Sequence, residues 1–438
     1  MRYPALISKS YLLKLSIPIF FSNLAIPLVG LIDTALMGHM ENVKFLAATS
    51  IATSVISMIF WSFGFLRMGT TGLVAQALGR GDYRDIVLTV TRNLCIAFFV
   101  GFIILFLQYP ILSIIKHFFN SSSETHYLIS KYISVRLFSA PTELAAYVLI
   151  GLYIGLQKTK ISSFIIVIYS ILNIVLSVYF VKYLSLDIYG VALGTVISSY
   201  IVLSFSLLFT YYFIQKEFNI TPRLKKIFVR KKIIKLFNIN LDIFIRTIFL
   251  TFSFLWVTYQ SAKLGENYLA VNTILMQFIL LASFFLDAYA FSTEAVIGYA
   301  IGKKSEKSFW QTVTNSFQLS IVSSLIISLI YLFSFKFIVS LLTDLDYLRY
   351  LTFNYFIWIV IIPPIASLCY QLDGIFIGAS QTAEMRNGMV ISVVIFITSS
   401  HFLINIFGNH GLWLSLLFFM IMRSVTLNFY FNRILKNF

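Results

Sequence analysis

The stretch GLYIGLQKT at residues 151–159 returns as GIFIGASQT at residues 374–382, 223 positions later. The same offset carries TTGLVAQALGRG (70–81) onto TEAVIGYAIGKK (293–304) and LAATSI (46–51) onto LAVNTI (269–274). It also places Pro141 on Pro364 and Tyr147 on Tyr370. One offset held from residue 46 to residue 159 marks a duplication. Whatever the first half folds into, the second half is expected to fold into as well.

Each copy is built from apolar runs. Of the 438 residues 59% are hydrophobic and 11% charged, and 45 are Phe and 25 Tyr. A soluble chain of this size has no polar exterior to cover so much apolar surface. A bilayer core of about 30 Å needs roughly 20 apolar residues per helix. Twelve segments meet that length, near 11–38, 45–78, 88–114, 127–156, 161–184, 189–216, 236–262, 268–301, 309–336, 347–378, 386–408 and 411–432. The runs are long and do not alternate, which argues against membrane strands. No cleavable signal peptide is expected, because the first run is long and lacks a small-residue cleavage site.

Six segments per copy is an even number, so both copies enter the membrane in the same direction. Such repeats are related by an axis along the membrane normal. The expected fold is an all-α membrane protein of twelve transmembrane helices in two six-helix lobes, with a cleft between them. The expected divisions are 1–216 for the first lobe, 217–235 for a basic linker and 236–438 for the second lobe. The linker region QKEFNITPRLKKIFVRKKIIK (215–235) holds eight Lys or Arg and Pro222. It reads first as an inter-lobe connection and second as a contact for anionic lipid. Gly151 and Gly155, like Gly374 and Gly378, form small-xxx-small steps that let helices approach closely. No selectivity-filter segment is present, which argues against a channel.

The formal charge of +16 does not point to nucleic acid. Arg80, Arg84, Lys158, Lys160, the 215–235 stretch, Lys303, Lys304, Lys307 and Arg386 fall in alternate loops, and Arg2, Lys9, Lys14, Arg433 and Lys436 at the ends. This is the positive-inside bias and places both termini in the cytoplasm. Cys95 and Cys369 lie in apolar runs and suggest no disulfide or metal framework. His401, alone in such a run, reads as a hydrogen-bonded core group. There is no HExxH and no pair of intramembrane His at helical spacing, so an enzyme is not expected.

Asp33, in LIDTALMGHM (31–40), is the acid that needs a reason. A carboxylate at the centre of a membrane helix costs roughly 3 kcal/mol on insertion scales. Asn23, Pro27, Gly30 and Asp33 follow at steps of three or four along one helix face. Pro27 removes a backbone donor and Gly30 loosens the helix, so a hinge lies beside an ionisable group. Taking up a proton or a cation at Asp33 would change the cost of each helix shape, which is what coupling requires. Other polar groups inside apolar runs are Asn173, Thr195, Arg67, Arg246, Asp287, Glu294 and Asp373. Asp287 and Glu294 are two helical turns apart. The acids do not repeat at the 223 offset, so the lobes are expected to differ in ion chemistry.

LIDTALMGHM, FLRMGTTGLVAQALGRGD, SILNIVLSVYF, IRTIFLTF, LAVNTILMQF, LDAYAFSTEAVIG and LDGIFIGASQTAEMRNGM together resemble the multidrug and toxic compound extrusion (MATE) family, in its DinF-type branch. The resemblance runs through both lobes. It implies a twelve-helix antiporter of a bacterial inner membrane that exports small organic compounds while protons or sodium ions enter. It also implies that Asp33 couples the ion, with Asn173 and Thr195 sharing its pocket. The same three residues would be the metal ligands if the ion were sodium. Asp287, Asp373 and Glu294 are secondary ion or substrate candidates. Relatives commonly carry an acid where this chain has Ser177. Its loss removes charge that a cation prefers and favours protons as the coupling ion. No cofactor and no nucleic-acid partner are expected, and the chain is expected to work as a monomer in the lipid bilayer. A flippase for a lipid-linked precursor is the alternative. It would need more deep Arg and Lys to hold pyrophosphate.

Overall fold

The computed structural model describes residues 7–40, 43–118, 122–220, 227, 229–436 and 438. Arg2 and, in the basic stretch, residues 221–226 and 228, Pro222 among them, lie outside the described residues. Twelve helical spans are long and apolar enough to cross a membrane: Lys9–Gly38, Lys44–Gly79, Tyr83–Phe106, Ser123–Gly155, Thr159–Lys182, Asp187–Phe218, Arg230–Leu264, Glu266–Gly302, Glu306–Leu342, Phe356–Gly378, Thr382–Phe407 and Asn409–Leu435. They coincide with the twelve runs read from sequence. Large side chains such as Phe106, Phe333 and Phe429 are exposed on them, as a lipid solvent allows.

Several runs that look continuous in sequence are broken. The fourth span pauses in a 3-10 turn, Leu137–Ser139, because Pro141 lacks an N–H and crowds the carbonyl four residues back. In the tenth run, a short helix Asp346–Phe353 precedes the span Phe356–Gly378. Pro363 and Pro364 lie inside that span. Pro364 leaves the Val360 carbonyl without its helical donor, and the Ser328 hydroxyl of the ninth span donates to it at 2.7 Å. The third run likewise ends at Phe106, and Gln108–Phe118 is a separate helix.

The chain forms two compact units, one of residues Phe21–Leu236 and one of Met1–Phe20 with Phe237–Phe438. The division differs from the sequence reading at the basic stretch, which falls with Leu236 in the first of these units, and at the start of the chain. The start of the first span, expected in the first lobe, packs within the second. The Ser16 and Ser292 hydroxyls share a hydrogen bond of 2.6 Å, Asn315 Nδ2 donates to the Ile7 carbonyl at 2.7 Å, and Ile7, Leu12 and Leu15 pack against Val296. The change of unit falls between Phe20 and Phe21, inside a continuous helix. At the linker, Phe218 ends the sixth span and the seventh is already helical from Arg230.

The duplication is visible in geometry as well as in letters. A Cβ on Gly151 would lie 2.5 Å from the Arg67 carbonyl oxygen, and one on Gly374 would lie 2.5 Å from the Ala290 carbonyl oxygen. Arg67 and Ala290 are themselves 223 apart. Gln157 and Ser380, also 223 apart, both have left-handed backbones, with φ of 58° and 54°. The Lys158 amide donates to the Tyr153 carbonyl at 2.8 Å, and the Gln381 amide donates to the Phe376 carbonyl at 3.0 Å. Each lobe therefore repeats the same helix-end turn and the same helix-to-helix contact. Gly374→Val is expected to force the eighth and tenth spans apart and to cost about 1–3 kcal/mol. A thermal unfolding midpoint in detergent equal to wild type would contradict that contact.

Candidate functional site

Asp33 sits in the first lobe and is 5% exposed. The fifth span offers it a ladder: Tyr169, Asn173 and Ser177 are four apart and share one helix face. The Ser177 hydroxyl lies beside Asp33 and donates to Asn173 Oδ1 at 3.1 Å. Asn173 Nδ2 donates to the Thr195 hydroxyl at 3.1 Å, and that hydroxyl donates to the Val191 carbonyl at 3.1 Å. The sixth span approaches closely here because a Cβ on Gly194 would lie 2.8 Å from the Ser177 backbone nitrogen. Asp33, Asn173 and Thr195 are thus brought together, with Ser177 at their centre. One atom stays open: Asp33 Oδ1 is buried and has no hydrogen-bond partner among the described residues.

The ladder continues to a second carboxylate that the sequence reading missed. Tyr169 lies beside Asn173, and its hydroxyl donates to Glu143 Oε1 at 3.2 Å. Glu143 is paired with Arg136 at 2.6 Å, the two side chains being 16% and 11% exposed. Arg136 also donates to the Ser139 hydroxyl, and it lies over the Phe60 ring at 5.1 Å. It is the cation that acts on Asp33, and Tyr132 lies next to both. Tyr147 stands among Glu143, Arg136 and Arg67. Two acids and two arginines therefore surround a set of tyrosines, with Tyr169, Asn173 and Ser177 standing in a row from Glu143 toward Asp33. A usable signal existed. Arg136 and Glu143 are seven residues apart within one apolar run, so two turns of helix put them on one face.

The second lobe has its own charge cluster, arranged differently. Asp373 is held by Arg246 of the seventh span and by Arg423 of the twelfth, the latter at 2.5 Å. Arg423 also stands over the Tyr370 and Phe419 rings, at 5.7 and 5.6 Å. Asp287 lies in the same surroundings, acting on Tyr370 and Cys369. Tyr370 is the repeat partner of Tyr147, so equivalent tyrosines stand at the centre of both clusters. The acids stand at non-equivalent positions. Asp373 is paired with two guanidinium groups, both on Oδ2, whereas Asp33 is in no ion pair among the described residues and its Oδ1 is buried without a hydrogen bond there.

The remaining candidates separate from these clusters. Glu294 is completely buried, two turns along from Asp287, and the eighth and tenth spans also meet there through the Thr293 hydroxyl, which donates to Gln371 Oε1 at 3.0 Å. Pro27 and Gly30 are exposed, and a Cβ on Gly30 would meet nothing within 4 Å. The helix runs unbroken past both, and the Thr34 hydroxyl donates to the Gly30 carbonyl at 2.7 Å. His401 is not a core group. It is exposed beside Phe402, on a cavity it shares with Trp256 and Tyr259. Arg423, alone in an apolar run, was also missed. No group of three or more His, Cys, Asp or Glu placed to hold a metal occurs among the described residues.

Comparison with known proteins agrees with this architecture. The MatE family model matches residues 18–179 and 243–409, one stretch in each half. The chain is 33% identical over 432 residues to DNA damage-inducible protein F of Escherichia coli (strain K12), covering 98% of this chain and 93% of that protein. It is 22% identical over 256 residues to multidrug export protein MepA of Staphylococcus aureus (strain MRSA252), covering 58% of this chain and 56% of that protein. Its fold matches the outward-facing conformation of a multidrug resistance MATE family transporter of the MOP superfamily, with a TM-score of 0.88 at 18% identity, over 98% of this chain and 96% of the other. With the family model covering most of both repeats and a near full-length relative at this identity, the chain belongs to the MatE family and is a twelve-span membrane transporter.

Proposed function

We propose that the protein is a proton-coupled antiporter that exports amphipathic or cationic organic compounds, and that Asp33 carries the coupling ion. The observation that carries this reading is the contrast between the two buried acids. Asp373 is paired with two arginines through Oδ2, while Asp33 is buried outside any ion pair among the described residues, with Oδ1 unbonded. The multidrug-export name of a relative, MepA, supports the substrate class. Ser177 supports protons over sodium. Sodium prefers several oxygens with negative charge, and here a hydroxyl stands in place of an acid, with Arg136 close by.

The first span is the moving part in this reading. It changes compact unit at Phe20 and Phe21, about two turns before Pro27. Gly30 and Pro27 lie between that point and Asp33, both exposed, and a Cβ on Gly30 would meet nothing within 4 Å. A proton on Asp33 removes the cost of a buried charge, and its loss restores that cost. The helix shape that suits the neutral acid therefore differs in free energy from the one that suits the ion. Both termini are cytoplasmic, and the protein works as a monomer. The flippase alternative loses support. Arg136, Arg246 and Arg423 are committed to carboxylates of their own lobe and are not free to hold a pyrophosphate.

Purified protein in liposomes separates the ions. An outward-directed proton gradient, from an acidic lumen and without sodium, is expected to drive accumulation of ethidium or tetraphenylphosphonium. A sodium gradient without a proton gradient is expected to drive none. Transport driven by sodium alone would overturn the proton assignment and make Asp33, Asn173 and Thr195 a sodium site.

A further inference from the structure

The basic stretch before the seventh span is not simply a solvated connection. Its end closes a small cavity against the second and third spans. The wall carries Arg80, Arg92, Lys232 and Lys235, with Asp85 as its one carboxylate and Thr89 as a hydroxyl donor. Arg80 bonds to Asp85 Oδ2 at 3.1 Å, Lys232 to Asp85 Oδ1 at 3.2 Å, and Arg92 reaches Asp85 Oδ1 at 4.0 Å. Arg92 is only 6% exposed, and its Nε donates to the Ile227 carbonyl at 2.7 Å, which ties the end of the stretch to the lobe. Lys235 stands beside Lys232 and Arg80, two further cations.

One acid does not balance four cations. Like charges gathered around a partly buried space repel one another unless an anion joins them. The cavity measures about 50 Å³. A water-sized group needs roughly 10–15 Å³ by the same measure, so a few heavy atoms fit and a nucleotide does not. Guanidinium and ammonium donors around that volume match the oxygens of one phosphate. Basic pockets at the ends of membrane helices are where acidic headgroups are bound. The pocket lies at the end of the lobe that also carries Arg84, Lys158 and Lys160.

We propose that this cavity is a phosphate-binding site, filled by the headgroup phosphate of an anionic phospholipid or by free phosphate. Its occupant bridges the first turns of the seventh span to the ends of the second and third spans. The site is independent of the coupling acid and does not require the protein to be a proton antiporter.

The test uses the full chain, delipidated in uncharged detergent, with thermal unfolding as the readout. Phosphatidylglycerol is expected to raise the unfolding midpoint, and diacylglycerol with the same tails is not. Lys232→Gln with Lys235→Gln is expected to weaken the response about fivefold per lysine. Arg230→Gln with Lys231→Gln, in the same helical turn region but outside the cavity wall, is expected to keep the wild-type response. Inorganic phosphate identifies the source. A protective effect of phosphate alone, lost in the Lys232/Lys235 variant, assigns the site to the free ion. No effect of phosphate beside a clear effect of phosphatidylglycerol assigns it to lipid. Equal stabilisation by diacylglycerol, equal binding by the Lys232/Lys235 variant, or no response to either phosphate source would overturn the proposal.

Discussion

Asp33→Asn is expected to reduce coupled accumulation of a cationic dye from about a hundredfold to none. One pH unit is worth about 1.4 kcal/mol per proton, so a two-unit gradient coupled one to one supports roughly a hundredfold substrate gradient. Asparagine keeps the shape of aspartate and can still hydrogen-bond to Ser177, so the lobe is expected to insert and fold. It cannot release or take up a proton, so the gradient has nothing to act on. The measurement is dye accumulation in liposomes at equal amounts of folded protein. Facilitated equilibration without accumulation fits the account. Full accumulation by the mutant removes Asp33 from the coupling role.

Arg423→Met is expected to be the most destabilising of the simple substitutions, by about 3–5 kcal/mol. Breaking a buried charge arrangement by removing one partner costs far more than replacing the whole arrangement. Asp373 loses one of its two guanidinium groups, and Tyr370 and Phe419 lose the cation above their rings. Asp373 and Asp287 are then left with Arg246 alone to balance them. Adding Asp287→Asn to Arg423→Met restores the charge count and is expected to recover a large part of the lost stability. Thermal unfolding of the single and double variants reads this directly. A double variant no more stable than the single would show that charge balance is not what holds the cluster. The same view makes Asp373 a stabilising group: a folded Asp373→Asn protein should transport close to wild type.

Much of this organisation is legible in the chain itself. The constant offset of 223 anticipates which glycines seat against which carbonyls, because a duplicated backbone keeps its close contacts even when side chains drift. Asn173 and Thr195 bond to each other, with Ser177 between Asn173 and Asp33, since polar groups in apolar runs have few ways to avoid lipid other than finding one another. Ser177 is visible only as a missing acid, yet it stands at the middle of the group. What stays hidden depends on packing. Arg423 finds Asp373 from two spans away in sequence. His401 faces outward because a helix position alone does not say which side a neighbour covers. The first span's change of compact unit at Phe20 leaves no mark in composition, because both of its halves are equally apolar.

The most direct test of the central claim is proton release on substrate binding. Purified protein in weakly buffered detergent is titrated with tetraphenylphosphonium at several pH values. If substrate and proton exchange at Asp33, wild type releases protons on binding. Asp33→Asn binds the cation and releases none. The same release from the mutant as from wild type would place the coupling proton elsewhere and contradict the account.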